Sequence, residues 1–189
     1  MKKLIGIVLV LFAVPAFAAD VNYNYAQFAY MRADIDGTSE EPDGFGIGGS
    51  FEVGESWFVV ASFAQVEAEE LGLSAELDDL AIGFGYHTPI SDNVDFYGTL
   101  SWLRSEVSAD GFGSFDDDGF GATIGMRGMV SDQVELSGSI GYSDVGDFGD
   151  GTAFGVGLIY NVPDTFGLGI NAAFGDDVTI YGAGLRLYW

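Results

Sequence analysis

Few side chains in this sequence can do chemistry. There is one histidine, His87, and no cysteine, which removes thiol catalysis, a disulfide framework and Cys-ligated zinc. Carboxylates dominate instead: 29 Asp and Glu stand against six Lys and Arg in 189 residues, a formal charge of −23. Two Asp/Gly stretches offer the hard oxygen donors that Ca2+ or Mg2+ takes, Asp116-Asp117-Asp118 and Asp144-Val-Gly-Asp147-Phe-Gly-Asp150-Gly151. Both lack the spacing of an EF-hand loop, and the plainer reading of such acids is a solvated, mutually repelling surface. Phosphate contacts are made by Lys and Arg, so this charge balance argues against nucleic acid.

The remaining candidates are isolated groups. His87 reads as a buried or wet histidine with no Ser or Asp partner placed beside it, which leaves a catalytic cluster without its parts. Gly44-Phe-Gly46-Ile-Gly48-Gly49 contains a Gly-x-Gly-x-x-Gly match but has no helix after it, so it is not a nucleotide site. Arg32, Arg127 and Arg186 are each expected on the small-residue face of an alternating segment. With Ser131-Asp132-Gln133 as a turn, Arg127 falls opposite Ser137 and diagonal to Glu135. An Arg–carboxylate network of Arg32, Arg127, Glu135 and Arg186 is therefore expected.

The elements that position these groups are strands. Residues 1–18 have the form of a cleaved signal peptide: Lys2-Lys3, an apolar run from Leu4 to Val14, and Ala16-Phe17-Ala18. A domain of residues 19–189 then carries four arginines, no lysine and a charge of −25. Along it the pattern has period 2, as in Phe45, Ile47, Gly49, Phe51 and in Leu80, Ile82, Phe84, Tyr86. Ten strands are read at 22–35, 44–54, 57–68, 76–88, 94–107, 118–130, 134–143, 152–161, 165–175 and 178–189. Ten strands of about ten residues leave about eight per connection; eight strands would leave longer connections and waste good alternation. Short turns alternate with longer acidic loops at 36–43, 67–75, 108–117 and 144–151, the asymmetry of an outer-membrane barrel.

Alternation alone leaves open which face meets lipid. A water-exposed strand face carries Lys, Glu, Arg and Thr, whereas here the second face is Gly, Ala and Ser. Aromatics also fall at strand ends, with Phe51, Tyr86, Phe96, Tyr160, Phe166 and Trp189 toward the short turns. Phe45, Trp102, Phe120, Tyr142, Phe154, Phe174 and Tyr181 fall toward the loops. Two such belts place the bulky face in the bilayer. Backbone polar groups in hydrocarbon must pair internally, so the sheet has to close.

Tyr181-Gly-Ala-Gly-Leu185-Arg-Leu187-Tyr-Trp189 resembles the C-terminal sorting pattern of outer-membrane barrels, with Leu185, Leu187 and Trp189 as its apolar positions. Tyr23-Asn24-Tyr25, Gly83-Phe84-Gly85-Tyr86-His87, Gly141-Tyr142-Ser143-Asp144 and Phe166-Gly167-Leu168 resemble, in order and spacing, the small exported barrels of xanthomonads described as activators of plant immunity. No motif here maps to the signalling roles proposed for that family. The expectation is an all-β, antiparallel up-and-down barrel in the cell outer membrane, without enzyme activity or cofactor, serving a structural or surface-interaction role. The alternatives are a narrow cation-preferring channel and, third, an outer-membrane enzyme. Expected partners are membrane lipid, lipopolysaccharide (bridged by any loop-bound Ca2+ or Mg2+) and the barrel-assembly machinery; the sequence identifies no surface partner.

Overall fold

A computed structural model describes residues 22–38, 41–70, 73–109, 111, 113–162 and 165–189. The expected signal peptide lies outside them. Ten antiparallel strands follow one another: β1 Tyr25–Ile35, β2 Asp43–Val53, β3 Trp57–Glu70, β4 Leu73–Ser91, β5 Val94–Ala109, β6 Gly113–Met129, β7 Val134–Asp144, β8 Asp150–Val162, β9 Phe166–Phe174 and β10 Val178–Tyr188. Each pairs with its sequence neighbours, and β1 pairs with β10 from Tyr25↔Tyr188 to Ile35↔Val178. The barrel is closed, so no edge strand is left to aggregate.

Side-chain parity divides every strand between two environments. Outward positions hold Phe28, Ile47, Phe84, Leu100, Ile124, Val156, Ile170 and Leu187, all exposed on the bare protein. Such a continuous apolar belt is untenable in water and natural in lipid. The interior is cut to fit large rings. Phe58 stands directly opposite Gly85, and a Cβ at Gly85 would lie 2.2 Å from its ring. Tyr97 stands opposite Gly125 in the same way, 2.5 Å from an added Cβ. Glycine at these two positions lets an inward ring lie flat against the next strand, where any larger residue would clash. Gly54, at φ 81°, makes the tight turn between β2 and β3.

The walls are not of equal height. About 9–11 tilted residues cross a bilayer, and β9 has nine. In contrast β4, β5 and β6 have 19, 16 and 17. The stretches expected as loops at 67–75 and 108–117 are mostly ladder, paired as far as Glu70↔Leu73 and Ala109↔Gly113. Their acid runs read as loop because like charges opposite one another destabilise a sheet, and Asp78↔Glu106 and Glu106↔Asp116 are such pairs. The opposite face supplies the compensating contact: Val66, Leu77, Val107 and Phe115 form one cross-strand apolar row. The loop expected at 144–151 shortens to a single 3-10 turn, Gly146–Phe148.

Candidate functional site

The inward groups near the short-turn end form one packed layer. Arg127 and Glu135 are 1% and 0% exposed, and Arg186, Tyr23, Tyr25, Tyr97 and Tyr188 are also buried. Alternation on β6, β7 and β10 aims the three charged groups inward. Val130 N–H donates to Val134 C=O at 2.9 Å, closing the β6–β7 turn and setting Arg127 opposite Ser137. Glu135 follows on the same face, coupled electrostatically to Arg127 and Arg186. Arg127 lies over the Tyr23 ring at 4.4 Å and Arg186 over the Tyr25 ring at 4.1 Å. Arg186 also donates to Gln27 Oε1 at 2.6 Å. Guanidinium groups buried on ring faces are strongly held.

Arg32 does not join this layer. It faces outward at the loop end and pairs with Glu41 at 2.9 Å, both side chains more than half exposed. The inward set on β1 is Tyr25, Gln27, Ala29, Met31 and Ala33, so Arg32 shares the parity of Phe28 and Tyr30. Polar Gln27 at an inward position hides this parity in the sequence.

His87 has partners that the sequence did not reveal. Its Nδ1 is 3.1 Å from Asp95 Oδ2 and its Nε2 is 3.3 Å from Glu52 Oε1. Its ring stacks on Tyr23 at 3.9 Å, and the Tyr23 hydroxyl donates to Asp95 at 3.5 Å. Tyr23 precedes β1 and is inserted by a short chain segment. Asn24 Oδ1 accepts the Glu52 amide at 3.0 Å, and Asn22 Nδ2 reaches the Trp189 carbonyl at 3.3 Å. These contacts span residues 22 to 189, so no local pattern could have signalled them. No Ser, Cys or Thr hydroxyl or thiol is hydrogen-bonded to His87 among the described residues.

The two acidic stretches meet where Asp117 reaches the Asp147 amide, but their carboxylates do not converge. Strand alternation turns Asp116 and Asp118 outward, where Arg104 pairs with them at 2.8 and 3.3 Å, and turns Asp117 the other way. Arg104 is outward on an unbroken ladder. Asp117 lies above the membrane-crossing part of β6. It accepts the amides of Asp147 and Asp118, both at 2.8 Å, and these bonds hold its carboxyl below the usual range. Asp150 accepts from the Tyr142 hydroxyl at 3.4 Å, and Asp144 pairs with Asp150 across β7 and β8. Among the described residues, no three His, Cys, Asp or Glu side chains are arranged to hold a metal ion. Leu185, Leu187 and Trp189 all face outward at the end of β10, with Trp189 62% exposed.

A closed barrel with an apolar exterior, two aromatic girdles and a charged, ring-packed interior defines the class of transmembrane β-barrels. The chain belongs to the outer membrane protein beta-barrel domain family, whose model matches residues 5–161, and membership places it in the outer membrane. No curated protein matches the sequence. The fold is similar to the KdgM porin, solved with disordered oligogalacturonate: TM-score 0.53, 10% identity, 86% of this chain and 99% of that one. It is similar to the translocator domain of the Neisseria meningitidis autotransporter NalP, with TM-score 0.50, 12% identity and 87% of each chain. Ail of Yersinia pestis, solved with the heparin analogue sucrose octasulfate, gives TM-score 0.48 and 18% identity over 87% of this chain and 95% of that one. At these identities the likeness is one of fold.

Proposed function

We propose that this protein is a non-enzymatic outer-membrane scaffold that presents an acidic wall at the cell surface and is closed to passage. The reading rests on one observation: the short-turn half of the lumen is packed with buried rings and charges, Tyr23, Phe58, Tyr97, Arg127, Glu135 and Arg186. Short turns face the periplasm in this class, which puts the closed end inward and the raised β3–β6 wall outside. Glu67, Glu76, Asp78, Glu106, Asp116 and Asp118 share the outer face of that wall. Their field repels anionic surfaces and attracts cationic ones. Lipid-facing Phe and Leu anchor the scaffold, lipopolysaccharide surrounds its outer girdle, and Leu185, Leu187 and Trp189 serve as the signal read by the assembly machinery. The likeness to the xanthomonad barrels fits this surface role and names no partner.

Conductance across a planar bilayer tests the reading. The protein is expected to be electrically silent at neutral pH. A steady cation-selective current would favour the second reading, a narrow channel, toward which the smaller inward side chains of the outer half point.

A further inference from the structure

Closure removes a strand edge only where both neighbours are present, and β6 outgrows one of them. Its ladder with β5 runs up to Ala109↔Gly113, but its ladder with β7 stops at Phe120↔Asp144. Past Asp144 the chain bends across the inner face of β6, so that a side chain at Gly119 would strike the Asp144 carbonyl. The Gly146–Phe148 turn stays on that inner face, with the Asp147 amide on Asp117 and the Phe148 ring 5.3 Å from Phe115. Among the described residues, no strand therefore lies beside β6 above Gly119 on the side away from β5.

The ladder fixes which backbone groups this leaves open. Met129 N–H donates toward β5, to Asn93 C=O, and Val130 N–H donates toward β7, to Val134 C=O. Main-chain groups alternate between the two neighbours of a strand, and β6 pairs without a register shift from 113 to 128. Even-numbered residues thus aim N–H and C=O at the uncovered side. The Asp118 amide is taken by Asp117 Oδ1 at 2.8 Å, whereas those of Ser114 and Asp116 have no partner among the described residues.

Such an edge is a template for another strand, and charge decides which strand. Asp116 and Asp118 flank it on the outer face, with Glu106 opposite Asp116, Asp78 beyond, and Arg104 as the one cation in the group. Phe115, 49% exposed, stands on the inner face. A second copy would bring the same acids to the same edge, and beyond residue 20 this chain has only four scattered arginines to offer. We propose that the raised edge of β6 takes an extended segment of a partner protein as an added strand, basic at alternate residues and apolar between them. Main-chain bonds to Ser114 and Asp116 hold that strand. Its basic side chains lie on the Asp116–Asp118 face and its apolar ones beside Phe115. The inference rests on the surface role proposed above and supplies the chemistry of the partner.

A Lys-Val-Lys-Val-Lys-Val-Lys peptide, titrated into the barrel in phosphatidylcholine nanodiscs, tests this. Amide NMR is expected to show saturable slowing of hydrogen exchange at Ser114 and Asp116. The same peptide N-methylated at every residue keeps its charge and side-chain order but has no amide donors. It, and the peptide with Glu in place of Lys, are expected to bind at least about tenfold more weakly. Ser114→Pro removes an open amide and no ladder bond, and should weaken the parent peptide by about tenfold while the unboiled protein keeps its folded gel mobility. Asp34→Asn, on the outward face of β1, leaves the affinity unchanged. No saturable binding, binding without slowed exchange at Ser114 and Asp116, or equal binding of the N-methylated peptide overturns the proposal. So does undiminished binding by Ser114→Pro, or an equal loss in Asp34→Asn. Slowing of the same amides that grows with protein concentration when no peptide is present would put a second copy on the edge and likewise overturn it. None of these outcomes bears on electrical silence, so failure here is distinguishable from failure of the scaffold role.

Discussion

The two halves of the lumen carry their charges in opposite ways. Toward the periplasm, Glu135 is buried between two arginines, and each guanidinium is backed by a tyrosine ring. Toward the outside, Asp79 is buried with a serine and aliphatic neighbours. The first arrangement sets its carboxyl in the field of two cations, and the second leaves its carboxyl with a hydroxyl alone. One end of the lumen is filled by rings and opposite charges, and the other buries an acid among small and aliphatic side chains.

Steric tests break the contrast most strongly. Gly125→Val puts a side chain into the Tyr97 ring and should prevent folding, read as loss of heat-modifiable gel mobility. Gly138→Val, at an outward glycine with no heavy atom within 4 Å of its added Cβ, should fold normally.

Charge removal comes next. Glu135→Leu leaves two guanidinium groups without their carboxylate and should cost about 3 kcal/mol in reversible urea unfolding from vesicles. Asp79→Asn, by the same measurement, should be neutral or stabilising, because it removes a charge that has no internal partner. Equal losses at both positions would erase the distinction between the halves.

A third test concerns passage. Tyr23→Ala removes the ring that stacks on His87 and Phe58 and lies beneath Arg127. It should convert an electrically silent barrel into one with measurable, fluctuating conductance. Silence in this variant would show that the remaining layer seals the lumen without Tyr23.

The smallest effects belong to the raised wall. Arg104→Ala leaves Asp116 and Asp118 unscreened and should destabilise by at most about 1 kcal/mol, less at high salt, since the pairs are exposed. Asp117 binds the Asp147 amide as a carboxylate, with its pKa lowered by that bond first and the Asp118 amide second. Its contribution is therefore complete at pH values above the ordinary carboxylate range. It persists as pH falls through that range and is lost only below it. Protection of the Asp147 amide from hydrogen exchange should follow this course and lose it in Asp117→Asn.

Legibility in the sequence followed the range of the interaction. Ten strands and their order were readable because alternation is local and the turns punctuate it, and the Arg127–Ser137 register followed from a single three-residue turn. Parity errors entered where a polar residue faced inward: Gln27 sent Arg32 to the wrong side of β1. Strand height was misread where acids lined up, because what holds the Asp78–Glu106–Asp116 row is an apolar row on the reverse face of the same strands. The partners of His87 were illegible. Glu52 and Asp95 reach it across β2 to β5, and Tyr23, from the segment before β1, completes the layer.

That convergence ties two events together. Tyr23 leads directly into β1, and β1 is zipped to β10 by pairing between the most distant parts of the chain. Closing so long a loop is the entropically slowest contact such a chain makes. Sealing the wall and stoppering the bore thus become one step, and an assembling cylinder whose seam still gapes also still leaks.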